Sequence, residues 1–236
     1  MADRMTPRRS SPWIAVCVVA FAIIAMVLGS NDWAPLGFER TAVDWAAAHR
    51  PSAAVTTAMA VTALGTDVFP YLVALAAGAV LVRAGRPHRS GRAAAGLLLA
   101  PVLWLVAGQL LRQGLMHGFG RPRPPAADWA FTPDGFAFPS GHAFTAATCA
   151  GLLAVAVART HRRARRRATA LALAFAVVIG ATRVYLGVHW PLDVLAGWLL
   201  ATAWLLLGAT LLPTPARPVP EPGAGPQSDG RATGLM

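Results

Sequence analysis

Long apolar runs, separated by short polar connections, dominate the chain. A helix that crosses a bilayer core of about 30 Å needs roughly 20 predominantly apolar residues. The pattern predicts six such helices, at residues 13–28, 68–82, 93–116, 143–158, 168–186 and 194–212. The second is short for a span, so we expect it to begin about one turn before residue 68. The predicted fold class is all-α, a polytopic membrane protein with a six-helix transmembrane bundle.

The remaining segments divide the chain into a membrane domain and two flanks. Residues 31–50 mix acidic, basic and Trp positions, which predicts an external loop with a short interfacial helix. Residues 213–236 contain six Pro and four Gly, a composition typical of a disordered tail. The predicted organisation is a cytoplasmic N-terminus at 1–12, a membrane domain at 13–212 and a disordered cytoplasmic tail at 213–236. A cleaved signal peptide is the alternative for the first apolar run and leaves the later topology unchanged.

Composition supports the membrane class and limits the role of the positive charge. Hydrophobic residues make up 56% of the chain and charged residues only 13%, with a mean hydropathy of +0.51. A soluble domain averages about 25% charged residues, so an ordinary water-soluble enzyme is disfavoured. The net charge of +11 comes from 21 arginines without a single lysine. Nucleic-acid binding is one explanation of such a charge, and the positions of the arginines decide against it.

Most arginines lie in alternate connections between the predicted spans. Fifteen of the 21 fall in the N-terminus, the 83–92 and 159–167 connections and the C-terminal tail. The positive-inside rule makes these segments cytoplasmic, which predicts a multi-pass protein of the plasma (inner) membrane with both termini in the cytoplasm. The 159–167 run also suits RNA or anionic lipids, although a topology signal is the simpler interpretation.

The other six arginines fall in or beside the external connections. They are Arg40, Arg50, Arg112, Arg121, Arg123 and Arg183. An arginine on the side that disfavours cations either extends its guanidinium to the lipid headgroups or holds an anion. Three segments that carry such residues or histidines converge on this face, at 120–124, 139–142 and 182–193.

The second and third of these segments have the features of an anion site. Ser140 is placed to cap the fourth span, which leaves backbone amides free for a phosphate, and Gly141 lets the anion approach closely. Pro191 suits the first turn of the last span, so Asp193 is expected to reach back towards His189. Each residue alone has a simpler explanation, such as a surface histidine or a first-turn acid. Together with His142 and the arginines, they predict phosphoryl transfer, with one histidine attacking and the other protonating the leaving oxygen.

These residues resemble the type 2 phosphatidic acid phosphatase family, which is similar at its active site to vanadium haloperoxidases. The family pattern is Lys, six residues, Arg-Pro; then Pro-Ser-Gly-His; then Ser-Arg, five residues, His, three residues, Asp. Arg123-Pro124 matches the end of the first block, residues 139–142 the whole of the second, and Arg183, His189 and Asp193 the third.

The resemblance implies a role for each matching residue. His189 is the expected nucleophile, Asp193 orients it, and His142 is the general acid. Arg123, Arg183, Ser140 and the Gly141 amide are the expected phosphate ligands. The resemblance implies neither a metal nor another cofactor, and the partners it implies are a lipid phosphate substrate and membrane lipids, with no nucleic acid.

Two positions depart from the family pattern. Thr182 replaces Ser and keeps a hydroxyl, whereas Met116 stands where the family has Lys. The candidate substitutes for the missing cation are Arg112, His117 and Arg121. The loss of one cation from such a site costs ~3 kcal/mol, which slows the chemistry without abolishing it.

The predicted function is hydrolysis of a lipid-linked phosphate or diphosphate at the outer membrane face, through a phosphohistidine. Phosphatidic acid, phosphatidylglycerol phosphate and polyprenyl diphosphates are the substrate types that the family implies. A lipid phosphotransferase and a catalytically weak lipid-phosphate-binding homologue are the alternatives. A transporter is disfavoured because the ionisable residues gather at one face and not in mid-span.

Overall fold

A computed structural model of the protein describes residues 11–84 and 90–211, and these residues contain helices but no strand. Eight α-helices and two short 3₁₀ turns occur in this part of the chain. The α-helices are α1 (Ser11–Gly29), α2 (Gly37–Ala48), α3 (Ser52–Ala63), α4 (Phe69–Arg83), α5 (Gly91–Phe119), α6 (Gly141–Thr160), α7 (Arg165–Tyr185) and α8 (Pro191–Leu211). The all-α prediction is confirmed. The tail prediction, most of the N-terminal one and two arginines of the 83–92 connection lie outside the described residues.

Within the described residues, five helical segments are long and apolar enough to cross a membrane, namely those of α1, α5, α6, α7 and α8. The predicted second span corresponds to α4, which has 15 residues and a length of about 22 Å. It begins at Phe69, so the expected start one turn upstream is wrong. Asp67 has a φ of 52° in the turn before α4, a backbone conformation that a helix does not contain. The polytopic bundle is thus confirmed, with a sixth helix that is shorter than a full span.

The bundle is built around α6, which packs against α4, α5, α7 and α8. Glycines allow close contacts between helices: Gly78 of α4 lies directly against the backbone of Leu98, and Gly180 of α7 lies against Trp198 of α8. Small residues at such contacts are typical of membrane helices. Large apolar side chains such as Leu103 and Leu171 point outward and are more than 60% exposed within the protein, as expected of side chains that face lipid.

The alternating direction of the helices brings the three predicted segments to one end of the bundle. The ends of α5 and α7 meet the beginnings of α6 and α8 there, and α2 packs against both α7 and α8. The arginine-rich turn at 159–167 connects α6 and α7 at the opposite end. A short helix was predicted within 31–50, and α2 occupies that position.

Candidate active site

Local backbone features set the direction of each segment that enters the site. Gly120 ends α5 with a φ of 63°, a left-handed conformation that glycine adopts without strain, and so turns the chain into the Arg121–Arg123 segment. Ser140 occupies the N-cap of α6. Pro191 is the first residue of α8, where its missing N–H has no helical partner to lose. Helix ends therefore position all three segments.

A cavity of about 890 Å³ opens where these segments meet. Seven of the ten predicted site residues line it: Arg112, His117, Arg123, Gly141, His142, Arg183 and His189. The other three, Ser140, Asp193 and Arg121, are fully buried and do not line the cavity. The site thus has an inner surface of cations and histidines, supported from behind by buried polar groups.

The contacts of His189 show which ring nitrogen carries the proton. Its Nε2 lies 3.1 Å from Nη1 of Arg123. A guanidinium has no acceptor, so Nε2 must accept and the neutral ring carries its proton on Nδ1. Nδ1 faces Oδ2 of Asp193 at 3.5 Å, a separation longer than an ordinary hydrogen bond. The lone pair on Nε2 therefore lies on the side of the ring nearer the arginine.

Burial sets the protonation of the two groups in this contact. Burial, and then the charges of Arg123 and Arg183, hold the pKa of the His189 imidazole well below its usual 6.5. Burial also lowers the pKa of Arg123 from 12.5 to about 10, although the charges of Asp193 and Asp134 oppose this shift. At neutral pH the site thus combines an unprotonated imidazole with a charged guanidinium.

Arg123 and Arg183 are held by backbone carbonyls and one hydroxyl, and neither forms a direct ion pair within residues 11–84 and 90–211. Arg123 donates to the carbonyls of Asp134, Gly135 and Val188 at 2.6, 2.9 and 2.7 Å. Arg183 donates to Oγ1 of Thr62 at 3.0 Å, and its Nε has no partner within the described structure. Neutral acceptors fix the guanidinium planes without cancelling their charge, which suits them to an anion.

The beginning of α6 contributes a second anion-binding element. The Ser140 hydroxyl makes no capping hydrogen bond and has no partner among the described residues, although its atom is buried. A buried hydroxyl without a partner is costly, and this one lies next to Gly141, which lines the cavity, although Ser140 itself does not. The guanidinium of Arg112 lies so close to Gly141 that a Cβ there would stand 3.2 Å from Cζ. The first turn of α6 therefore presents a helix N-terminus next to a cation.

The three candidate substitutes for the family lysine differ in position. Arg112 lines the cavity and donates to Sδ of Met116, the residue at the lysine position, at 3.2 Å. His117 also lines the cavity, and its exposed ring packs edge-on against Phe136. Arg121 lies behind the cavity, where both Glu39 and Asp193 pair with it. Position and charge together favour Arg112.

Sequence reasoning missed Glu39, which joins the site from outside the three motif segments. It lies in the first turn of α2, is fully buried and pairs with Arg121 at 2.7 Å. Since the two residues stand 82 positions apart, no local spacing links them. Composition does not single out Glu39 either, because six of the ten acidic residues of the chain lie in the predicted external segments.

Polar side chains of α4, α5 and α6 extend the cavity into the bundle, and sequence reasoning missed these as well. Tyr71 donates to Gln109 at 2.8 Å, and Gln109 donates to Thr145 at 3.3 Å. All three line the cavity. Across the described ranges, 11–84 and 90–211, no group of three or more His, Cys, Asp or Glu side chains has a metal-binding arrangement.

Comparison with protein families adds an independent observation to this geometry. A model of the PAP2 superfamily matches residues 71–216, which is more than half of the chain. The chain belongs to the PAP2 superfamily. The match includes all ten predicted site residues, whereas α1 to α3 and Glu39 precede it. The PAP2 assignment confirms the family resemblance drawn from the motif residues.

Two known proteins are similar to this chain. An undecaprenyl-diphosphatase of Sulfolobus acidocaldarius is 40% identical over 73 residues, which are 31% of this chain and 32% of the relative. The chain thus matches about a third of that relative's length. The crystal structure of a transmembrane PAP2-type phosphatidylglycerolphosphate phosphatase from Bacillus subtilis superposes with a TM-score of 0.69 at 25% identity. That superposition covers 84% of this chain and 93% of the other, and it supports the multi-pass membrane architecture.

Proposed function

We propose that this PAP2 protein hydrolyses a lipid-linked phosphate or diphosphate through a phosphohistidine on His189. The observation that carries the proposal is the contact of Nε2 of His189 with Arg123, inside a cavity that Arg183, Arg112 and the α6 N-terminus also line. An unprotonated imidazole nitrogen directed at an anion site is the arrangement that nucleophilic attack on phosphorus requires.

The proposed reaction has two steps that return every group to its starting state. The lone pair on Nε2 of His189 attacks phosphorus, and the bond between phosphorus and the lipid oxygen breaks as protonated His142 gives that oxygen its proton. A water molecule then attacks the phosphohistidine and gives a proton to His142, which releases phosphate and restores both histidines. Arg123, Arg183 and Arg112 stabilise the charge that develops on the phosphoryl oxygens, in a reaction that uses no metal.

The proposed substrates are amphiphiles whose phosphate is at the membrane surface. Phosphatidic acid, phosphatidylglycerol phosphate and polyprenyl diphosphates all have this form, and the two similar proteins act on the latter two types by name. The site lies at the bundle end opposite the arginine-rich 159–167 turn. With that turn in the cytoplasm, the site faces outward and both termini lie inside.

Phosphate release from a panel of these lipids, by purified protein in nanodiscs, tests the proposal. We expect release by the wild type and by a His161→Ala control, since His161 lies at the opposite end of the bundle. We expect none from His189→Ala. If the wild type releases no more phosphate than His189→Ala on every lipid, the enzyme proposal fails and the lipid-binding alternative stands. Label that moves to another lipid and not to water would identify a phosphotransferase.

A further inference from the structure

A buried ion cluster connects α2 to the proposed nucleophile. Nη1 and Nη2 of Arg121 donate to Oε1 and Oε2 of Glu39 at 3.3 and 2.7 Å. Nη1 also donates to Oδ1 of Asp193 at 2.6 Å. All three side chains are fully buried. Burial of charged groups costs free energy unless ion pairs and hydrogen bonds compensate for the lost water. Stability alone therefore does not explain the cluster.

The same cluster controls the first turn of α8. Oε1 of Glu39 accepts from the Leu192 amide at 3.1 Å, so α2 caps the beginning of a helix 153 residues away in sequence. Oδ2 of Asp193 accepts from the Trp190 amide at 2.8 Å, next to His189. The two carboxylates thus hold the backbone amides on either side of Pro191, the first residue of α8.

We propose that Glu39 and Arg121 are positioning residues that orient Asp193 and, through it, His189. This inference rests on the proposed function of His189 as the nucleophile. Arg121 occupies one oxygen of Asp193 and leaves the other towards Nδ1 of His189, at 3.5 Å. Arg121 was one of the candidate cations for the phosphate. It instead contacts Asp193, behind the imidazole ring of His189, and does not touch substrate.

Charge gives Glu39 a role that a purely structural residue would lack. When Nε2 of His189 bonds to phosphorus, the imidazole gains positive charge, which the cavity arginines oppose. A lone Arg121–Asp193 pair is neutral and does little to stabilise that charge. With Glu39 ionised, the cluster has a net charge of −1 next to the ring, in an interior where such charges act strongly. Glu39 thus favours the phosphohistidine over the free imidazole.

The test compares two variants of Glu39 that differ in charge. Glu39→Gln keeps the shape and loses the charge, whereas Glu39→Asp keeps the charge on a shorter side chain. We expect Glu39→Gln to lower kcat by roughly 10- to 100-fold. This is the range found when a metal-binding histidine loses the hydrogen-bond partner that orients it. We expect KM to change little, rapid-quench phosphoenzyme formation to slow by the same factor, and Glu39→Asp to recover most of the loss.

Trp204→Phe provides the matched control. Trp204 donates from α8 to the carbonyl of Trp104 at 3.0 Å, and neither residue lines the cavity. This variant loses a hydrogen bond of α8 without touching the ion cluster, so its kcat should match that of the wild type. A melting temperature for each variant separates folding from chemistry. If Glu39→Gln does not fold, Arg121→Lys tests the positioning role alone, since it keeps the charge but loses the guanidinium fork that bridges Glu39 and Asp193, and its kcat should also fall.

The outcomes distinguish this inference from the function on which it rests. A folded Glu39→Gln or Arg121→Lys with wild-type kcat overturns the positioning role while leaving the phosphatase proposal intact. A change in KM without a change in kcat also overturns the positioning role. An equal decrease of kcat in Glu39→Gln and Glu39→Asp overturns the charge argument. A wild type that releases no more phosphate than His189→Ala overturns both proposals together.

Discussion

Arg112 is the cation that we expect to take the place of the family lysine, because Met116 occupies that position. Replacement of Arg112 by glutamine removes a guanidinium that lines the cavity beside Gly141. In the described part of the chain, the side-chain acceptor it contacts is Sδ of Met116 at 3.2 Å, and a thioether is a weak acceptor. The charge of Arg112 is therefore available to a substrate phosphate.

The available charge of Arg112 sets the decrease in kcat that we expect from Arg112→Gln. A preorganised donor to a developing oxyanion contributes about 2.7–4 kcal/mol, which corresponds to a decrease of roughly 100- to 1,000-fold in kcat. Coulomb's law gives a similar figure, about 4 kcal/mol for unit charges 4 Å apart at an effective dielectric constant of 20. A surface arginine that merely attracts anionic lipid would contribute far less, since salt screens exposed charges.

Steady-state phosphate release from nanodiscs measures the effect, with Arg50→Gln as the control. Arg50 also lies at the site end of the bundle, where it donates to the Tyr185 carbonyl, but it does not line the cavity. Met116→Lys should restore most of the activity of Arg112→Gln, because the side chain at 116 already contacts the guanidinium. If Arg112→Gln keeps activity within threefold of wild type, this reasoning is wrong. It is also wrong if Arg112→Gln loses activity and the added Met116→Lys does not restore it.

Three further outcomes are expected. Because burial and nearby arginines lower the pKa of His189 well below 6.5, its unprotonated form persists in mild acid, so kcat/KM should not fall between pH 7 and about 6; a decline centred near 6.5 would contradict this. Gly197→Ala should lower the melting temperature and the activity, since its Cβ would stand 2.8 Å from the Ser140 carbonyl and overpacking costs about 1–3 kcal/mol; an unchanged melting curve would argue against this contact. Thr182→Ser should leave kcat/KM within about twofold, because the Thr182 hydroxyl donates to the Ile179 carbonyl at 2.6 Å and a serine hydroxyl can do the same; a larger change would place that hydroxyl in the chemistry.

Hydrophobic patterning predicted most of the helices because membrane spans leave a strong signal. The predicted run at 143–158 became α6, and the one at 194–212 became α8, each within three residues at either end. The pattern failed at α4, where the apolar stretch is shorter than a span and a turn delays the start to Phe69. A short helix packed inside a bundle does not need an apolar run of full span length. The length needed for a span therefore gave a wrong start for α4.

Motif spacing predicted which residues gather at the cavity but not how each is used. His189 and Asp193 stand four positions apart across the start of α8, so their proximity followed from sequence. Arg112, His117 and Arg121 were all candidates for the missing cation, since each lies within five positions of Met116 in the sequence. Only the fold separates them, because Glu39 approaches from α2 and pairs with Arg121. Such long-range pairing has no periodic signature in a single sequence.

Detection of the covalent intermediate tests the central claim most directly. Wild-type protein in nanodiscs would be mixed with a phosphate-labelled lipid from the panel, quenched in alkali within milliseconds and digested, and the labelled peptide located by mass spectrometry. The account predicts label on His189 that is stable in alkali and lost in acid, and that is absent from His189→Ala. Turnover without label on any histidine, or with label on His142 in place of His189, would contradict it.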